Sequence, residues 1–241
     1  MNKFFKYNRG QILTAFARYN KDFYDRISRL QLADWEQAAV LNDQYFHDSY
    51  KKIYQTTGTY FAEKITAKLK PKKAQNDNYW LQYFENYAKS KVGKRITWIT
   101  ETTEAEFKRI TRNVIAEAVS GGWGEEKAGR ELRKAIGISE KYRAERIART
   151  ETVSASNAGN IEGAKSLGMN LQKEWITAVD NRVRGLNPND EFDHVSMNGV
   201  VVGMDEDFDV GGELLEYPGD PRGSAGNVIN CRCSVQFIPV E

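Results

Sequence analysis

Apolar residues recur at three- and four-residue steps from the start of the chain: Ile12, Phe16, Tyr19, Phe23, Ile27 and Leu30. That is the period of a helix with one buried face. A second, longer stripe runs through Ala38, Leu41, Tyr45, Ile53, Tyr60, Phe61, Ile65 and Leu69, and Pro71 with the polar run 72–78 is expected to end it. Aromatic residues dominate both stripes, and their spacing assigns them to a core rather than to an exposed stacking surface. Trp80, Phe84 and Tyr87 predict a short helix over 79–91. Thr103 and Glu106 have the spacing of a capping box ahead of Phe107, Ile110, Val114 and Ala118. Gly121-Gly-Trp-Gly124 predicts a break, followed by a helix over 125–135 that ends near Gly137. Ser139 then caps a further helix to Leu167, with Gly168 as its stop. Small residues on that helix (Ala148, Ala155, Ala158, Gly159, Gly163) predict close packing against another element.

After Gly168 the period changes from 3.6 to 2. Residues 173–179 predict a strand. Val195 to Met197, the Asn198-Gly199 turn and Val200 to Val202 predict a β-hairpin, because Asn-Gly accepts the positive φ angles of a tight turn. Residues 232–238 alternate and predict a closing strand. The expected fold is α+β: a long-helix N-terminal region followed by a small antiparallel-sheet domain packed on a helix. The expected domains are 1–138, helical and basic, and 139–241, α+β.

Charge sharpens this division. From Glu151 onward there are 6 Lys and Arg against 15 Asp and Glu; of the totals of 35 and 33, this leaves 29 and 18 for residues 1–150. A net charge of +2 thus hides a basic first part and an acidic second one. A basic part suits DNA or an acidic protein surface, and it equally describes solvated helix faces. No stretch of ~18 apolar residues is present, so no membrane span is expected. Residues 1–10 have no apolar run of the signal-peptide kind. Two cysteines one residue apart do not make a secreted disulfide framework, and synthesis in the cytoplasm is expected.

The unusual residues gather at the end. Both cysteines and four of the five prolines lie beyond Trp175. Cys231 and Cys233, two apart on a strand, point to one face. They can be buried as small apolar residues, or they can be half of a metal site. His194 and Asp180 are the candidates to complete such a site, with zinc as the ion that suits thiolate and imidazole. A disulfide between neighbours this close would be strained. Asp205, Asp207, Asp209 and Glu216 partly match an EF-hand calcium loop, but Val210 stands where that loop needs glycine and no helix pattern follows, so a solvated acidic loop is expected. Asp180, Arg182 and Arg184 are expected to form ion pairs. His47 falls in a helix pattern. No nucleophile and no paired acid and base can be assembled.

The order of these pieces resembles the phage head morphogenesis (Mu F-like) minor head protein family. The matching pieces are Arg146-Ile-Ala-Arg-Thr-Glu151, Asn157-x-Gly159, Lys173-x-Trp175 and Asp180-x-Arg182-x-Arg184. They continue with His194 and Gly199, Phe208 with Gly211 or Gly212, Pro218-Gly-Asp-Pro221 and Ile229-Asn-Cys-Arg-Cys233. Where the family usually steps from the arginine run to its histidine in a few residues, Gly185 to Asp193 intervene here. The resemblance implies a minor virion component without enzymatic activity, made in the host cytoplasm and built into the capsid near the portal vertex. Its implied partners are the portal protein, scaffold or major capsid protein, and DNA; no membrane is implied. The same domain also occurs as a carrier ahead of toxin domains. With Glu241 eight residues past Cys233, the plain head protein is the expectation. The alternative class is a zinc-dependent enzyme acting on nucleic acid, or a toxin carrier.

Overall fold

A computed structural model describes residues 2–69, 77–178 and 180–240 of the chain. The expected helix end at Pro71 and the polar run after it lies mostly outside the described residues. The elements are α1 (Asn2–Ile27), a 3-10 helix (Leu32–Ala38), α2 (Gln44–Ile53), a π-helical turn (Tyr54–Gly58), α3 (Thr59–Leu69), α4 (Asp77–Lys91), α5 (Gly93–Gly121) and α6 (Glu125–Lys165). They are followed by β1 (Leu171–Ile176), β2 (Val201–Gly203), β3 (Phe208–Val210), β4 (Glu213–Leu215), α7 (Ala225–Val228) and β5 (Ser234–Pro239). The fold is α+β, with long N-terminal helices and two small antiparallel sheets, as the change of period predicts.

The organising element is α6. The sequence predicts two helices meeting at Gly137 and Ser139, but the structure has one helix of 41 residues. Ala128, Leu132, Ile136, Glu140 and Ala144 are all buried, so the inward-facing stripe runs through both punctuating residues without a phase change. Packing overrides the modest cost of one mid-helix glycine. The helix therefore crosses the 138/139 position unbroken. The predicted capping box also dissolves. Thr103 lies within α5, its Oγ1 bonded to the Ile99 carbonyl at 2.7 Å, and Glu106 pairs with Arg109. The expected break does occur, with Gly122 in the left-handed region as the cap of α5.

Small residues on α6 let α3 come close. A side chain at Gly159 would run into the Gly58 carbonyl oxygen, and one at Gly163 into Ala62 and Ile65. Gly58 in turn lies flat under Phe84, where a Cβ would stand 2.7 Å from the ring. The π turn ending at Gly58 carries one extra residue per turn. It aims Tyr54 and Thr57, both fully buried, at the polar seam of α6. Tyr54 meets Glu151 and Ser154 there. Thr57 and Thr152 both accept from the amide of Asn8 on α1.

The sheets differ from the expected hairpin. β1 is central, pairing with β2 (Glu174 opposite Val201) and with β5 (Trp175 opposite Val235), both antiparallel. Residues 195–197 form turns rather than a strand. Asn198 uses its side-chain oxygen to accept from Thr177 N–H, and Gly199 N–H donates to the Trp175 carbonyl. The turn thus braces β1 instead of joining two strands. The tight hairpin falls later, between β3 and β4, where Gly211 and Gly212 both take positive φ. One core cluster runs from Ile12 to Val235 and includes Tyr217; a second gathers Trp175, Met197, Phe208, Val210, Leu215, Cys231 and Cys233.

Candidate metal centre

The second cluster holds the chemistry. His194, Cys231 and Cys233 are 1%, 2% and 3% exposed, and their ligand atoms lie within 4.8 Å of one another. His194 Nδ1 is 3.8 Å from Cys231 Sγ and 3.7 Å from Cys233 Sγ. A tetrahedral zinc with bonds of ~2.3 Å to sulfur and ~2.05 Å to nitrogen would separate N from S by roughly 3.6 Å. The three donors and the His194 spacing therefore fit three of the four corners of such an ion.

Local geometry explains how the three come together. Gly185 to Asp193 form an insertion whose ends are tied: the Arg184 carbonyl accepts from both His194 N–H and Val195 N–H, at 3.0 and 3.1 Å. The longer connection is thus closed off at its base, and His194 is held as if it followed Arg184 directly. Thr177, just past β1, donates its hydroxyl to the His194 carbonyl. The imidazole stands edge-on to Trp175, with centroids 5.4 Å apart. Its Nε2 lies 2.6 Å from Asn227 Oδ1. The orientation of that amide is set by its nitrogen, which donates to the Val210 carbonyl and to Glu213. An oxygen facing Nε2 places the ring proton there and leaves the Nδ1 lone pair towards the sulfurs, the arrangement of a metal-bound histidine with an outer partner.

On the cysteine side, Asn230 adopts a positive φ of 59°, which asparagine tolerates better than most residues. Its N–H donates to Thr150 of α6, and the following Cys231 N–H to Val228. Asn157 of α6 donates to the carbonyls of Cys233 and Pro218. A hydrogen bond from Cys231 holds Cys233 well below the usual thiol range against the effect of burial. The same bond and burial push Cys231 up. A metal takes both sulfurs as thiolates, so its binding would release their protons.

Asp180 does not join this group. Its carboxylate accepts from Arg182 N–H at 2.9 Å and from the Arg232 guanidinium, the ion pairing expected for this run. The acidic positions of the partial calcium loop scatter. Asp207 pairs with Arg222, Asp209 accepts from Gly212 N–H, and Glu216 pairs with Lys165. His47 lies on α2 beside Asp43.

Sequence reasoning passed over Asn227 and, more importantly, Arg95. Arg95 Nη1 lies 3.1 Å from Glu151 Oε1, and its Nη2 donates to the Gly219 and Asp220 carbonyls. Burial works against its charge, but Glu151 more than offsets this and its pKa is raised. The pair fastens α5, α6 and the Pro218–Pro221 turn at one point. The hydroxyls of Tyr87 and Tyr217 add a second link between α4 and that turn.

Residues 109–236 match the phage Mu protein F like family. The chain belongs to that family. Over 92 residues, 37% of the chain, it is 35% identical to the NAD(+)–arginine ADP-ribosyltransferase EFV of Enterococcus faecalis. Over 149 residues, 58% of the chain, it is 26% identical to the uncharacterized protein YqbB of Bacillus subtilis. The chain covers 17% of the first relative and 47% of the second. No solved structure matches it.

Proposed function

We propose that the protein is a non-enzymatic minor component of the phage head that acts in capsid assembly at the portal vertex. The family match over 109–236 carries this reading. In it, residues 139–241 are the family domain. The basic helical part, 1–138, is the side that docks onto portal protein, scaffold or major capsid protein, and contacts DNA or travels with it. The split is one of use, since the two parts share a core. Assembly takes place in the host cytoplasm, and the finished protein resides in the virion.

Co-expression with the portal protein of the same phage tests this. Co-purification of the two untagged chains at moderate salt is expected. Portal protein that fractionates alone, together with normal heads made without this protein, would sink the proposal. DNA contact, if direct, weakens steeply with salt as lysines and arginines release phosphate counterions.

Within this function the His194, Cys231 and Cys233 group holds zinc as a structural clip. A bound zinc would supply cross-linking of the His194 loop to the β5 end, where the sheet meets α6. Metal analysis of protein purified without added metal should find about one zinc per chain, lost on Cys231→Ser. A metal-free protein of unchanged melting temperature after chelation would overturn the clip. The EFV relative keeps a carrier role in view, because the matched part is a small fraction of a longer enzyme. Nothing in that match transfers an activity to this chain.

A further inference from the structure

A cavity of about 260 Å³ lies where α5, α6 and α7 meet. Arg143 and Arg146 line it, with Trp98, Thr102, Thr150 and Val228 among its other walls. The same two arginines border an open concavity of about 680 Å³ that continues along the α5–α6 groove. They therefore stand on the sill between the two spaces.

What sets this place apart is incomplete compensation. Arg143 is half-buried, and its Nη2 reaches only hydroxyls, those of Thr102 and Thr103 at 3.1 and 2.6 Å. Its Nε is buried with no partner. Among the described residues the exposed Arg146 has no hydrogen-bond or carboxylate partner; burial lowers the Arg143 pKa, the nearby Arg146 charge adds to this, and Glu106 works against it. The carboxylates nearby are committed elsewhere. Glu151 holds Arg95, Glu106 holds Arg109 in a two-point contact, and Glu145 faces Arg9. A half-buried guanidinium with an unpartnered Nε is costly, and a second cation beside it adds to that cost. Proteins keep such pairs where an anion completes them. Guanidinium forks match the oxygens of a phosphate.

We propose that Arg143 and Arg146 form a binding site for a phosphate oxyanion at the mouth of this cavity. The site is independent of the metal group and of the family reading. Trp98, 40% exposed, offers an indole beside it. The phosphate can therefore come free or as part of a strand whose base stacks on that ring. Glu117 and Glu131 lie at the far end of the larger concavity and repel a strand from that direction.

The test uses the full-length protein at constant ionic strength set with chloride. Titration with inorganic phosphate, read by tryptophan fluorescence and melting temperature, should saturate. Arg146→Gln, an exposed substitution that leaves the fold intact, should weaken binding at least tenfold, and Arg143→Gln likewise. Arg149→Gln, one turn away and outside the cavity, should bind as the unmodified protein does. A short oligothymidylate forms the second arm. Binding at least tenfold tighter than phosphate, lost in the same two variants and reduced by Trp98→Ala, identifies a nucleic-acid strand as the source. Equal affinities identify free phosphate. No saturable phosphate binding, equal losses in Arg149→Gln, or binding of an oligoglutamate peptide in preference to phosphate would each overturn the proposal.

Discussion

Glu151 and Arg95 meet in the core with side chains only 1% and 6% exposed. Taking away one partner strands the other charge, so Glu151→Ala should cost about 3–5 kcal/mol in urea denaturation. The double variant Glu151→Leu with Arg95→Met should recover most of that loss; a double variant no better than the single one would mean that packing, not charge, sets the cost. Glu140 behaves differently. It faces α1 from the buried stripe of α6, one oxygen bonded to Asn20 and the other without a partner. Burial pushes its carboxyl up to about 7. A raised folded-state value means that its contribution is fully present below the ordinary carboxyl range and is lost as pH rises through about 7. Glu140→Gln should therefore match the unmodified protein near pH 4.5 and exceed it by about 1–3 kcal/mol at pH 8. Thermal melts across that range decide the matter, and an offset independent of pH would refute the assignment.

At the scale of elements, the long period-3.6 stripes were legible because burial and spacing coincide in them. The unity of α6 was not, because the stripe position between Ile136 and Ala144 is filled by Glu140, a charge that interrupts the apolar pattern beside Gly137 and Ser139. The π turn left no trace in spacing, since one extra residue in a helix looks like ordinary scatter. Asn-Gly drew the hairpin to 198–199, while Gly211-Gly212, with the same tolerance for positive φ, carried it. In the site, Cys-x-Cys and His194 were visible by residue type. Asn227 and Arg95 were not, because their partners lie 33 and 56 residues away. Close packing of α3 on α6 gives an element-scale prediction. Gly159→Ala places a methyl against the Gly58 carbonyl, and the helices must part. A loss of about 1–3 kcal/mol is expected, measured by denaturant midpoint, with no change at the neighbouring surface substitution Asn160→Ala.

For the molecule as a whole, the polar seam of α6 joins the first helix, the π turn, α5 and the proline-rich turn before β5. Chelating the proposed zinc should therefore be felt far from the sheet. Hydrogen exchange is expected to quicken in the His194 loop, in residues 229–235 and at the Asn157 end of α6, while α2 keeps its protection. Exchange that quickens in the His194 loop alone would mean that the metal group is not coupled to the helix.

The bond between Asn8 and Thr152 spans 144 residues of chain. At synthesis rates of roughly 5–20 residues per second, α1 waits about seven to thirty seconds for Thr152. Throughout that interval Asn8 lacks its Thr152 partner, and α1 lacks that part of α6. The growing chain is thus a client for chaperones during translation. A truncated chain released before residue 150 is expected to aggregate, whereas a full-length chain folds once its longest helix has left the ribosome.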